Sequence, residues 1–198
     1  MNKLFALCLW SYCTLAMAQS ADELINKSKN TENVTTQGMG YDLKNFSPLK
    51  QINKSNIKRL TPVWSFSLSN EIGELSQPTI YDGVMYISNA RWTYEMDALT
   101  GRVIWRTAVN FDPDTPRVVC CGNSNKGVAL YNGKLFRGTL DAFVIALDMK
   151  TGKEVWSNQV ADYKVQYAMT VAPLAVKDKV ISGVAGGEHG VRGFLAAY

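Results

Sequence analysis

Two cysteines stand side by side at Cys120 and Cys121, inside the stretch RVVCCGNSNKGVALYNGK (117–134), far from the other two cysteines of the chain. Neighbouring thiols have two states open to them. Joined, they enclose almost no chain, so loop-closure entropy contributes next to nothing. The Cα atoms of a trans dipeptide lie about 3.8 Å apart, below the usual disulfide span, so such a ring is strained. A bridge of this kind implies a local use, as a stiff surface for a ligand or as a redox group. Left apart, they are two half-buried thiols in a turn. A second candidate is Glu188 in the segment AGGEHG (185–190). Glycines let backbone approach a ligand closely, and a carboxylate is a hard oxygen donor for Ca²⁺ or a similar ion. One carboxylate is too few for such a shell, and His189, the only histidine, excludes a histidine-rich metal centre.

Which thiol state applies depends on the compartment. The chain opens with MNKLFALCLWSYCTLAMAQS, one charged residue before an apolar run that ends in Ala16-Met17-Ala18. This is the small-x-small pattern of a secretory cleavage site, and residues 1–18 are expected to be a signal peptide. The run is shorter than the roughly 20 apolar residues that span a bilayer. Cleavage after Ala18 removes Cys8 and Cys13 together with Lys3, leaving Cys120 and Cys121 as the only thiols and a formal charge of +3 instead of +4. An exported, oxidising setting such as the periplasm lets a disulfide persist. The slight basic excess forms no Lys/Arg block, which argues against nucleic-acid binding; NKSNIKRL (53–60) is a solvated face.

The elements that must position these residues are repeats. Residues 81–109 and 131–160 align through Tyr81/Tyr131, Gly83/Gly133, Asp97/Asp148, Thr100/Thr151, Gly101/Gly152 and Trp105/Trp156, a period of about fifty residues. Each unit begins at an Asp-Gly or Asn-Gly turn, runs through two β-rich stretches, reaches an Asp-x-x-Thr-Gly turn and re-emerges as a strand ending near a tryptophan. Such a unit is expected to be one blade of an all-β propeller, a sheet of four short antiparallel strands, with Trp105 and Trp156 packing between blades. A third unit opens at 172–198, and its turn aspartate is expected at position 199. Residues 41–70 are expected to give an outer strand around Val63–Leu68, and residues 22–36 a short helix or a loose segment. A ring cut after about three blades leaves an apolar blade face bare, so the chain is expected to be the N-terminal part of a larger propeller.

The motif ALDMKTGKEVW (146–156) resembles the tryptophan-docking repeat of enzymes that use pyrroloquinoline quinone (PQQ), though non-enzymatic propellers carry similar repeats. RVVCCGNSNKGVALYNGK and SGVAGGEHGVRGF (182–194), with YDLKNFSPLKQINKSNIKRLTPVW (41–64), are more specific. Together they resemble the methanol/ethanol dehydrogenase family of periplasmic quinoproteins from about Tyr41 to Tyr198. The resemblance implies an eight-bladed ring of which this chain holds about three blades, and oxidation of primary alcohols with PQQ and Ca²⁺ or a lanthanide, electrons leaving to a c-type cytochrome. It implies that Cys120 and Cys121 form a disulfide against one face of the quinone, that Thr170 hydrogen-bonds the cofactor, that Ala185, Gly186 and Gly187 lie beside its carboxylates, and that Glu188 binds the metal. The family's arginine is replaced here by Lys126, whose ammonium lacks the planar two-pronged contact of a guanidinium. Its cofactor-contacting glutamate corresponds to Leu75, which makes the preceding Glu74 the candidate. The catalytic aspartate of the family is expected beyond Tyr198. The competing reading is a non-catalytic periplasmic propeller that binds protein partners, which has no need of the Cys-Cys and Gly-Gly-Glu segments.

Overall fold

Turn chemistry sets the architecture. In a computed structural model, which describes residues 19–25, 31–69 and 74–198, the Asp97 carboxylate accepts from the amides of Leu99 (3.1 Å) and Thr100 (2.8 Å) and from the Thr100 hydroxyl (2.9 Å). Asp148 does the same with Lys150, Thr151 and the Thr151 hydroxyl at 3.1, 2.9 and 2.8 Å. These bonds draw both carboxyls below the usual carboxylate range, the threonine side-chain bond being the largest cause. Gly101 and Gly152 close the two turns at φ of 71° and 67°, where a side chain is strained.

Each turn joins the last two strands of a four-stranded antiparallel sheet. The first blade is β1 (Thr79–Tyr81), β2 (Val84–Ser88), β3 (Trp92–Asp97) and β4 (Val103–Ala108), and the second is β5 (Ala129–Tyr131), β6 (Lys134–Gly138), β7 (Phe143–Asp148) and β8 (Glu154–Gln159). The repeat extends to irregularities, for the register shifts between Glu95 and Met96 in one blade and between Ala146 and Leu147 in the other. The third sheet has three strands, β9 (Leu174–Val176), β10 (Lys179–Gly183) and β11 (Leu195–Ala197). A core around Leu130, Leu135, Leu147 and Tyr86 lies between the first two blades, and one around Phe136, Val144, Met169 and Val180 between the second and third. The blade and propeller expectations hold.

Tryptophans join the blades. The Trp105 indole N–H donates to the Met149 carbonyl (3.0 Å), and its ring lies 2.6 Å from where a Cβ on Gly152 would sit. Trp64 repeats the contact one blade earlier, on the Ala98 carbonyl (3.2 Å) and Gly101. The expected strand at 63–68 does not form. A strand needs a ladder partner, and none of the described strands pairs with this segment; instead Trp64 docks, Phe66 meets Tyr94 edge-on, and the Leu68 carbonyl accepts from Asn89 and Tyr94. At the N-terminus α1 (Ala21–Ile25) is followed by Val34, which bridges Ile80 at the free edge of β1. The expected signal peptide lies outside the described residues. Among the described residues no helix is long and apolar enough to cross a membrane.

Candidate functional site

In an up-down-up-down blade, the turn between the second and third strands and the connection to the next blade lie at the same end of the sheet. That end therefore gathers the β2–β3 turn, the β6–β7 turn, the long β4–β5 connection with the cysteines, and the β10–β11 loop with Glu188. A four-residue helix, α2 (Thr115–Val118), leads into the cysteine turn. Cys121 takes φ of 72°, a left-handed conformation uncommon for a residue with a side chain, and Gly122 follows at 58°. The other loop folds through a short 3-10 turn, Gly187–His189, between glycines at φ of 123° (Gly186) and 80° (Gly190).

These two distant loops meet. Cys121 Sγ lies 3.7 Å from the Glu188 carboxylate, and one ligand atom each from Cys120, Cys121 and Glu188 fall within 4.8 Å of one another. Cys120 is buried whereas Cys121 and Glu188 are exposed, so the cluster sits at the surface of this end with one sulfur beneath. Burial, then hydrogen bonding with Cys121 and Glu188, pushes the Cys120 thiol well up. Glu188's own backbone N–H, then the Cys120 thiol, draw its carboxyl down. Both cysteines are free thiols in this structure; the expected Cys120–Cys121 ring is not formed in it.

The remaining candidates surround the cluster. Lys126 donates its backbone N–H to the Thr170 carbonyl (2.8 Å), which joins the cysteine loop to the chain leading into the third blade. Its own carbonyl accepts from the Gln77 amide (3.4 Å) and the Gln37 side chain, leaving the exposed ammonium end free of the fold. Thr170 is buried, and Ala185 exchanges backbone bonds with Ala168 (2.7 and 3.3 Å). A Cβ on Gly186 would meet the Gln166 carbonyl at 2.4 Å, so this glycine is required by the fold, whereas around Gly187 the space is open. Glu74 accepts from Asn89 (3.3 Å) at the blade-one side and is not a member of the Cys-Cys-Glu cluster. His189 and Arg192 are exposed; Arg192 offers its carbonyl to the Tyr167 hydroxyl (3.1 Å). The arrangement pairs a sulfur platform with one hard carboxylate oxygen, a donor set that fits part of a flat-cofactor and oxygen-ligated metal site.

Two residues escaped sequence reasoning. Arg137, wholly buried in β6, donates to the carbonyls of Asn89 (2.6 Å), Ala90 (3.0 Å), Trp92 (2.9 Å) and Gly138 (3.2 Å) and to the Thr93 hydroxyl (2.8 Å). Burial lowers its pKa to about 9, so it remains charged at neutral pH and clamps the β2–β3 turn to the second blade. Asn125, also buried, sits beside Lys126. The only signal for Arg137 was its place directly after the apolar pair Leu135-Phe136 in the short β-rich run KLFRG; nothing in the sequence marked Asn125.

The geometry agrees with what the chain is similar to. A family model described as the glucose/ethanol/alcohol dehydrogenase β-propeller domain of PQQ proteins matches residues 36–192. The quinoprotein alcohol dehydrogenase PedH of Pseudomonas putida is 44% identical over 184 residues, covering 91% of this chain and 31% of that protein. Methanol dehydrogenase [cytochrome c] subunit 1 of Methylobacterium organophilum is 38% identical, covering 92% and 31%. Among solved structures, a europium-containing methanol dehydrogenase superposes with a TM-score of 0.84 at 38% identity, over 89% of this chain and 31% of that one. The chain thus spans about a third of the length of these relatives, and over that span it belongs to the PQQ-type alcohol dehydrogenase β-propeller family.

Proposed function

We propose that this chain forms the first blades of a periplasmic PQQ-dependent alcohol dehydrogenase and supplies one side of its cofactor and metal site. The observation that carries the reading is the convergence of Cys120, Cys121 and Glu188 within 4.8 Å at the end of the ring where Lys126 and Thr170 join their backbones. Cys120 and Cys121, oxidised to a ring after export and cleavage behind Ala18, would offer a flat face to the quinone. Lys126 and Thr170, with the backbone of 185–187, would hold its polar edge, and Glu188 would ligate Ca²⁺ or a lanthanide. When bound, PQQ supplies a two-electron acceptor for the oxidation of a primary alcohol to an aldehyde, with a cation beside it as Lewis acid. The relatives named above are dehydrogenases of alcohols, one of them a methanol dehydrogenase [cytochrome c] subunit, which supports a small alcohol as substrate and a c-type cytochrome as electron acceptor. Lys126 and the other residues described here bind and orient; the proton-abstracting aspartate belongs to the part of the ring outside this chain.

The test is a titration of the exported protein with PQQ and Ca²⁺, and separately with a lanthanide, followed by quinone absorbance and thermal melting. Mass spectrometry of the unreduced protein reads the cysteines. A Cys120–Cys121 disulfide together with saturable, metal-dependent binding is expected. Free thiols and unchanged melting would favour the protein-binding propeller instead.

A further inference from the structure

The Asn125 carboxamide touches both neighbouring blades. Its Oδ1 accepts from the Ser88 hydroxyl at the end of β2 (2.6 Å) and from the Gly127 amide (3.0 Å), while its Nδ2 donates to the Gly138 carbonyl at the end of β6 (3.1 Å). Two donors on one atom and one acceptor on the other fix which way the amide points. Ser88 and Asn125 are fully enclosed, at 0% and 2% exposure, so water cannot replace these bonds. The Gly138 carbonyl also takes Arg137 Nε, which ties the same point to the clamp on the β2–β3 turn.

From Gly138 the connection returns to the site. A Cβ on Gly138 would meet Met169 Cβ at 2.7 Å and the Met169 carbonyl at 2.9 Å, so its lack of a side chain is what lets segment 168–170 lie against β6. The Met169 amide bonds the Thr139 carbonyl (3.1 Å), and the next carbonyl, that of Thr170, accepts from Lys126 N–H (2.8 Å). Asn125, Gly138, Met169, Thr170 and Lys126 therefore form a closed circuit, with Asn125 its one side chain that reaches two blades.

We infer that Asn125 is a positioning residue. Its buried carboxamide fixes the backbone of Lys126 and Gly127 relative to blades one and two, and so sets where the cysteine turn and the Lys126 side chain stand. What that loop holds rests on the PQQ reading above; the positioning itself does not. Removal of the carboxamide takes the acceptor from the Gly127 amide and the Ser88 hydroxyl, and removal of the Ser88 hydroxyl weakens the hold on Oδ1, while the blade sheets keep their own ladders.

The experiment compares the full chain with its Ser88→Ala and Asn125→Ala variants by hydrogen exchange without cofactor and by PQQ titration in Ca²⁺. Exchange at the amides of Lys126 and Gly127 should quicken about tenfold, the equivalent of one buried hydrogen bond, with β7 amides unchanged. The PQQ dissociation constant should rise by a similar factor. Uniform quickening across β7 and the loop would make Asn125 a stability residue only, and no local change would remove it from the site; either overturns the inference. Should Asn125→Ala fail to fold, Ser88→Ala, which keeps two of the three bonds, decides alone. A parent protein that binds no PQQ sinks the cofactor reading, and the exchange pattern still decides the positioning.

Discussion

Lys126 combines a rigid backbone with an unrestrained side chain. Its N–H and carbonyl are tied to Thr170, Gln77 and Gln37, yet the ammonium is exposed and would meet the proposed cofactor as a point charge. An arginine at the same Cα would present a planar fork. Lys126→Arg is therefore expected to tighten PQQ binding about tenfold, read as a shift in the titration midpoint with melting of the free protein unchanged. Equal or weaker binding would mean that the site is built around the ammonium. A second residue-scale case is Glu95, buried in β3 and accepting from the Tyr86 hydroxyl at 2.9 Å. Burial, opposed in part by that bond, raises its carboxyl above the ordinary range. The folded state then binds the proton more tightly than the unfolded chain, so stability falls as pH rises from the unfolded value through the folded one. Glu95→Gln keeps an acceptor for Tyr86 without the charge; it should raise Tm at pH 7, and the gain should vanish below about pH 4. Cys120, Cys121 and Glu188 were legible in the sequence because their residue types announce chemistry. Asn125 and Arg137 were not, because an ordinary polar residue becomes informative only once its burial is known.

At the level of elements, the legible parts are those whose physics is local. The Asp-x-x-Thr-Gly turns carry their own hydrogen bonds within five residues, so their phase could be read directly and the blades followed. The strand expected at 63–68 required a ladder partner that no local pattern reveals, and β chemistry there gave an extended segment that docks a tryptophan instead. The joining of the two loops, 67 residues apart at Cys121 and Glu188, likewise needed the whole ring end. The docking contact makes a quantitative claim. Gly152 is at positive φ and its absent Cβ would sit 2.6 Å from the Trp105 ring. Gly152→Ala combines left-handed strain with an overpacked contact and should cost about 2–4 kcal/mol. Trp105→Phe keeps a ring but orphans the Met149 carbonyl, for about 1 kcal/mol. Denaturant melts of the two variants check both, and a mild Gly152→Ala effect would mean that the ring simply slides away.

Across the molecule, blades one and two are joined by an apolar core, the Arg137 clamp, the Asn125 carboxamide and the Trp105 dock. Among the described residues, blades two and three share only the first of these fully. Trp156, which corresponds to Trp105, stacks at a tilt on Phe136 with centroids 5.8 Å apart and lines a groove of about 560 Å³ with Tyr131, Asn158, Val180 and Tyr198. Twice in this chain the equivalent tryptophan lies on the glycine of an Asp-x-x-Thr-Gly turn and donates to a carbonyl of that turn. The third sheet stops at β11, with no fourth strand among the described residues. A longer form of the chain that continues past Tyr198 with such a turn and a fourth strand is therefore expected to seat the turn on Trp156. Comparing the two lengths, each with a Trp156→Phe control, the Trp156 contribution to fluorescence should shift to the blue and β11 amides should gain protection in the longer form. The same turn should raise melting in the Trp156 protein more than in its phenylalanine control. Equal emission at both lengths would mean that this groove is not a blade dock, and the third sheet would then have to complete its packing by a contact different from the two already formed.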